Sequence, residues 1–244
     1  MSNDFAPRTF ELWVFLSRSP LLWLTVTLAA YVAADRVSQA TGRHPLANPV
    51  LHSIWLIGLI LWATSTPYGT YFEGAQFVHF LLGPATVSLA FPLYEHRKTV
   101  LKALVPMLAA LFVGSIVALG SVLLVGSLLG LPQELLVAMA PKSVTAAVAM
   151  GIANTLGGDP ALTAVMVALT GILGAIIVTP LFNLLKVTDW RARGFAVGLA
   201  SHGIGTARAF QVHPLAGTFA GIAMGLNALL TAILVPLALG LLAG

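Results

Sequence analysis

The chain has 244 residues, of which 58% are hydrophobic and 8% charged, with a formal net charge of +4. Soluble domains carry about 25% charged residues, so this composition excludes a soluble globular protein and places the chain in a membrane. The apolar runs are continuous instead of alternating over strands of about 10 residues, which excludes a β-barrel and leaves a helical bundle. Cysteine is absent, so disulfides and thiolate metal sites are excluded as well. The basic residues are spread over short loops, and no nucleic-acid partner is expected.

Residues 1–19 contain a short apolar run that holds Glu11 and leads to Arg18, with no small-residue cleavage site. This reads as an interfacial segment, not a signal peptide. A first span is expected at 20–34, ending at Asp35 and Arg36, and a second at 48–64. Residues 65–73, with Pro67 and Gly69, read as a turn region. Residues 74–94 are apolar but broken near Gly83 and Pro84. Each half is then ~15 Å of helix, half a bilayer. Glu95, His96, Arg97, Lys98 and Lys102 form a loop. The uncharged run 103–131 exceeds what a ~30 Å hydrocarbon core needs, so the helix tilts or extends into the interface. Its small residues at a spacing of four, Gly114 with Ala118 and Gly126 with Gly130, permit close packing. A second broken segment covers 133–156, split at Pro141. Asp159 and Pro160 have the character of an N-cap and a first helical position. The next span is expected at 161–185, bent at Pro180, followed by a basic loop with Lys186, Asp189, Arg191 and Arg193. Residues 195–210 contain a third irregular stretch at 201–206, and 214–242 forms the last span.

Between residues 103 and 158 the only charged side chains are Glu134 and Lys142. A charge at membrane depth is costly and usually faces a cavity or a partner. Pro141 beside it frees backbone groups. Two readings stand: Lys142 binds a small anion, or it snorkels or caps the freed carbonyls. All eight acidic residues lie at loops or segment ends, so no buried carboxylate answers this cation. An anionic ligand or loss of the proton would then satisfy it. Breaks at Pro84 and Pro141 would aim helix N-termini at an anion. Thr86, Ser88, Ser143 and Thr145 either add hydroxyl bonds or bond back to helix carbonyls. His202 has three open roles: proton relay, carboxylate binding, or a bond to a carbonyl. Arg208 lies at membrane depth or at the headgroups. His79, Asn154 and Asn227 read as packing hydrogen bonds within apolar runs.

The two broken segments resemble each other at an offset of 57, with Pro84 matching Pro141, Val87 matching Val144 and Ala90 matching Ala147. Paired interrupted segments in two halves point to a carrier's binding site. The repeat halves are expected at about 68–131 and 133–187. Lys- and Arg-rich loops are cytoplasmic, which puts the loops at 97–102 and 186–193 on one side. The segment around Pro141 is too short to cross twice, so a re-entrant hairpin from the outside is favoured. The segment around Pro84 is then either an opposed hairpin or a single unwound crossing.

No His-Glu-x-x-His, buried aspartate pair or Gly-x-Ser-x-Gly is present, so no enzyme, metal or cofactor is expected. The stretches LGPATVSLAFPLY, APKSVTAAVAM, GGDPALTAVMVALTGILGA and ASHGIGTARAF resemble the LrgB/CidB family from about Trp23 onward. The resemblance implies a multi-pass protein of the inner or plasma membrane. Members of the family are described as antiholin-like or as exporters of murein hydrolase, paired with a small LrgA/CidA-like membrane protein. Others are linked to pyruvate, and a plastidal relative exchanges glycolate and glycerate.

The expectation is therefore an all-α polytopic membrane protein, a transporter-like bundle with broken or re-entrant helices and an inverted repeat. It comprises the N-terminal segment 1–19 and one LrgB-like domain at 20–244. The expected function is secondary transport of small monocarboxylates; the alternative is antiholin-like modulation of a holin-type pore or of murein hydrolase export. The expected substrate site joins Gly83, Pro84, Ala85 and Thr86 to Pro141, Lys142, Ser143 and Thr145, lined by Ser201, His202, Gly203, Gly205 and Thr206. Expected partners are the carboxylate, membrane lipid, an LrgA/CidA-like protein and a second copy of the chain.

Overall fold

A computed structural model of the protein describes residues 19–243. Residues 1–18 of the expected interfacial segment lie outside the described residues. The protein is an all-α polytopic membrane protein, with no strand among the described residues. Among the described residues, five helical stretches are long and apolar enough to cross a membrane: Pro20–Ala40, Tyr68–Glu95, Leu104–Leu128, Pro160–Leu184 and Pro214–Leu241. The chain divides into two compact units, Met1–Ser88 and Leu89–Gly244.

The first unit holds α1 (Pro20–Ala40), α2 (Pro49–Ala63), α3 (Tyr68–Phe80) and α4 (Leu82–Ser88). Helix α1 runs past Asp35 and Arg36, where the sequence reading ends it. The polar turn stabilises the extension: Gln39 donates to Asp35 at 2.6 Å, and Arg43 forms an ion pair with the same carboxylate. Asn48 caps α2, accepting from the amides of Val50 at 2.9 Å and Leu51 at 3.1 Å. At 15 residues α2 is about 22 Å long, short of a full crossing. Helix α3 begins inside the expected turn region, at Tyr68. Trp23, fully buried, meets Tyr71 edge-to-face at 5.8 Å, and Gly74 lets α3 approach the backbone of α1 at Pro20. The break in the first interrupted segment falls at Leu81, with Gly83 and Pro84 inside the first turn of α4. A proline there loses no hydrogen bond, because first-turn amides have no intrahelical acceptor.

The second unit opens with the short helices α5 (Ala90–Glu95) and α6 (Arg97–Lys102) and the long α7 (Leu104–Leu128). Helix α7 is shorter than its uncharged run because Gly130 adopts φ 67° and the Leu131 amide bonds back to Gly126, which closes the helix. Then follow α8 (Gln133–Met139) and α9 (Ala146–Thr155), separated by irregular residues 140–145. Helix α10 (Pro160–Leu184) starts on the expected Asp159 cap, and α11 (Trp190–Val212) and α12 (Pro214–Ala243) complete the chain.

Two of these elements reverse direction. Val137 of α8 packs with Ile152 of α9, and Gly158 lies against Val137 and Ala138. A straight helix over those 21 residues would separate its ends by ~31 Å, so α8 and α9 form a hairpin with its tip at 140–145. The second reversal is inside α11, whose backbone leaves the helical region at Ser201 and His202. Trp190 and His213 stack at 4.9 Å, and Val197 and Ala209 share one cluster. Residues 190–212 are therefore a second hairpin with half-bilayer arms, where the sequence reading expects a basic loop to Arg193 and a segment at 195–210 that is irregular at 201–206. The irregularity is confined to Ser201 and His202, and Gly203, Gly205 and Thr206 are helical.

The hairpins enter from opposite ends. Lys102 and Arg191 line one cavity, so the start of α7 and the base of the second hairpin lie at the same end of this unit. The base of the first hairpin lies at the far end, where Leu136 fills the notch at Gly126 near the end of α7. Long helix plus hairpin thus occurs twice, at 104–155 and 160–212, in opposed orientations. Of the offset-57 matches, Pro84 and Val87 lie in the first unit and Pro141 and Val144 in the second, whereas Ala90 and Ala147 both lie in the second. Helix α12 runs through the whole unit: its first half packs on the second hairpin through Phe219 and Ala220, its second half on the first through Val235 and Leu239.

Helices α11 and α12 approach each other backbone to backbone. A Cβ on Gly198 would fall 2.0 Å from the Ala220 carbonyl oxygen and 2.5 Å from its Cα, both backbone atoms. Gly198→Ala is expected to destabilise by about 1–3 kcal/mol, the usual cost of overpacking. Gly120→Ala, with nothing within 4 Å, is expected to be neutral or stabilising. Thermal unfolding of the two purified variants in detergent checks the contrast.

Candidate functional site

The first tip is built around a fully buried proline. Pro141 cannot donate, and its ring prevents α8 from continuing. The backbone turns through short bonds, the Lys142 amide to Met139 O at 3.1 Å and the Val144 amide to Pro141 O at 3.2 Å. Ser143 and Val144 are buried, and Thr145 precedes α9 in an extended conformation with no side-chain cap. The first amides of α9 therefore keep their donor capacity at the tip. Lys142 is half-buried, and its ammonium has no acceptor among the described residues.

The second tip carries backbone strain. His202 adopts φ 41° and ψ −133°, a conformation that costs of order 1–3 kcal/mol for a non-glycine residue. Its ring is 4% exposed, and Nε2 lies 3.0 Å from Val167 O on α10. A carbonyl only accepts, so Nε2 carries the proton and donates; of the three roles open to His202, this is the one its contacts display. Two glycines of α10 make room for the turn. A Cβ on Gly171 would fall 2.7 Å from the His202 ring, and one on Gly174 would fall 1.7 Å from Ser201 Oγ. Gly205 lets Ser201 fold against the following arm, while Thr206 bonds back to His202 O at 2.8 Å and touches Met224 Sδ at 3.9 Å. Gly203 lies 3.9 Å from the same sulfur.

Asn227, 1% exposed near the middle of α12, joins the tips. Its Nδ2 donates to Ser143 O at 3.3 Å on the first hairpin and to Leu199 O at 3.0 Å on the second. Its Oδ1 accepts from Ser115 of α7 at 2.8 Å and from Thr231 at 3.2 Å. All four capacities of the amide are used, and the two carbonyl acceptors fix which end is nitrogen. The cavity remaining beside it, lined by Ser115, Ser143, Asn227 and Thr231, has a volume of about 10 Å³. That is room for at most about one water.

Lys142, Ser143, Ser201 and His202 thus belong to two opposed tips that Asn227 bridges. Gly83, Pro84 and Ala85 lie on exposed turns of α4, the helix that also carries Thr86, in the other compact unit. Arg208 is buried in the second hairpin's returning arm, beside a small cavity that Trp190 and Arg193 also line. The sequence reading left Asn227, Gly171 and Gly174 out of the site. The available signal for Asn227 was its position as a lone amide midway along a 30-residue apolar helix.

Asn227→Ala is expected to destabilise by at least about 1–3 kcal/mol, because it leaves buried carbonyls and hydroxyls without partners. It is also expected to speed amide exchange selectively at 143–147 and 201–203, read by hydrogen exchange in detergent. For the strained turn, His202→Gly is expected to stay within about 1 kcal/mol of the parent, and His202→Val to lose about 2 kcal/mol or more. Thermal unfolding of the pair measures the ordering.

The LrgB-like family matches residues 27–241. The Bacillus subtilis (strain 168) protein YxaC is 35% identical over 220 residues, 89% of this chain and 94% of its own, and YwbG of the same strain is 33% identical over 208 residues, 85% of this chain and 92% of its own. Holin-like protein CidB of Staphylococcus epidermidis (strain ATCC 12228 / FDA PCI 1200) is 29% identical over 216 residues, 88% of this chain and 94% of its own. No solved structure matches the chain. With a family match from residue 27 to residue 241 and relatives above 30% identity along nearly their whole length, this chain belongs to the LrgB-like family.

Proposed function

We propose that the protein works in the inner (plasma) membrane as an antiholin-like component that modulates a holin-type pore or the export of murein hydrolases. The support is the near-full-length similarity to the staphylococcal proteins named Holin-like protein CidB. An LrgA/CidA-like membrane protein is the proposed partner, and a second copy of the chain the proposed alternative assembly.

One specific observation favours a second reading, carriage of small monocarboxylates of the glycolate, glycerate or pyruvate class. Two opposed half-membrane hairpins meet at Asn227, and beside them stand a half-buried ammonium without an acceptor and an uncapped helix N-terminus. Interrupted helices whose ends face each other near the midplane are how many carriers hold a solute. In this reading Lys142 and the first amides of α9 take the carboxylate, with Ser143 and Thr145 beside it. The cavity of about 10 Å³ beside Asn227 does not admit a carboxylate. Solute entry then requires the bonds of Asn227 to open.

The test is uptake of labelled glycolate, glycerate and pyruvate into liposomes, with and without an LrgA-like partner. The carrier reading expects saturable uptake by this protein, reduced about tenfold or more in Lys142→Ala through loss of a charged hydrogen bond. The pore-modulator reading expects no saturable uptake, and a leak with the partner that Lys142→Ala leaves unchanged.

A further inference from the structure

The largest cavity described in the second unit lies away from both tips. It has a volume of about 530 Å³ and runs between α7, the first arm of the second hairpin and α12. Its rim carries Lys102, Asp189 and Arg191. Asp189 is neutralised by Arg191, whose guanidinium donates to it at 2.6 Å and 3.0 Å, and that contact holds the carboxyl below its usual range. Lys102 has no acidic partner among the described residues, which leaves the rim with one uncompensated positive charge.

Below the rim the walls are apolar: Met107, Ala110 and Gly114 on one side, Phe195, Leu199 and Phe219 on the other. From Lys102 to Gly114 the groove follows 12 residues of chain, mostly α7, ~18 Å at 1.5 Å per residue. That is close to the ~15 Å thickness of one leaflet's hydrocarbon. A two- or three-carbon carboxylate would leave most of this volume empty and set its hydroxyls against hydrocarbon. Charge at one end and a leaflet's depth of apolar wall below it match an amphiphile. Basic pockets between membrane helices on the cytoplasmic side bind anionic headgroups, and the loops carrying Lys102 and Arg191 are the Lys- and Arg-rich ones.

We propose that this groove binds one anionic phospholipid, its phosphate on Lys102 and one acyl chain laid along 192–199. The chain would lean on Leu199, whose carbonyl Asn227 holds and which lies two residues before the second tip. The lipid would thereby brace the arm of the second hairpin. This inference rests on the groove and holds under either functional reading.

Native mass spectrometry of the full chain in detergent, with phosphatidylglycerol and phosphatidylcholine added in equal amounts, tests it. The parent protein is expected to retain phosphatidylglycerol in preference. Lys102→Gln is expected to weaken that retention about fivefold, the worth of one cation near an anionic lipid, and Lys102→Arg to keep it. Ala110→Phe, which fills the groove, is expected to reduce retention of both lipids. Equal retention by the parent, Lys102→Gln and Ala110→Phe overturns the proposal. Displacement of the lipid by millimolar pyruvate also overturns it, assigning the groove to a solute, and so does loss of lipid only on formation of a dimer, assigning it to a second copy. Thermal unfolding keeps the reading independent of folding: phosphatidylglycerol is expected to raise the melting temperature of the parent and of Lys102→Arg, but not of Ala110→Phe.

Discussion

A backbone that breaks inside an apolar bundle leaves carbonyls and amides that neither lipid nor hydrocarbon side chains can satisfy. The second unit contains two such breaks, and the side chain of Asn227 answers carbonyls from both. That single amide explains why the tips lie at one level, why α7 contributes Ser115 at its own middle, and why α12 must run between the hairpins. Remove the requirement to pair those carbonyls and no other contact described here demands that the hairpins meet.

The hydrogen bonds fix the level of the tips, and glycines fix their distance. Gly171 and Gly174 are notches for the His202 ring and the Ser201 hydroxyl, and Gly194 and Gly198 let the second hairpin lie backbone to backbone on α12. Without a hydrophobic drive between helices in lipid, this close fit of small residues is a main source of cohesion. The positive φ of His202 is tolerated because the ring is anchored to Val167 and packed in the Gly171 notch on all the geometry available to it. A strained turn and a satisfied ring are two sides of one arrangement.

Much of this was legible in the residues. Pro141 marks the first reversal, the stretch 201–206 marks an irregularity but not that the chain reverses there, and Asp159 with Pro160 marks the start of α10. The parity of the basic loops required the first hairpin, and the shared cavity of Lys102 and Arg191 agrees with it. Other features were hidden for physical reasons. A hairpin with two arms of about ten residues has the same local periodicity as one continuous helix, so 195–210 reads as one segment with an irregular stretch and not as a reversal. The turn that splits it occupies two residues, and the strained one is a histidine, whereas backbone breaks are ordinarily signalled by glycine or proline. Asn227 is marked only as a lone amide in an apolar helix; its role is not legible there, because its four partners lie on four separate segments of the second unit: α7, the two hairpins and its own helix. The break near Pro84 was placed two residues late because a proline is as comfortable in a helix's first turn as at its boundary.

The position of Asn227 also bears on how the chain is made. It lies on α12, yet it completes the bonding of segments synthesised some 28 and 84 residues earlier. The second hairpin, with Arg191, Arg193, His202 and Arg208 in it, is poorly suited to enter the bilayer unaided. During synthesis both reversals must wait with open carbonyls, at the interface or within the translocation machinery, until α12 arrives. Assembly of this unit therefore waits on residue 227, and a nascent chain that stalls before it is chemically distinguishable from one that has passed it by what its backbone still lacks.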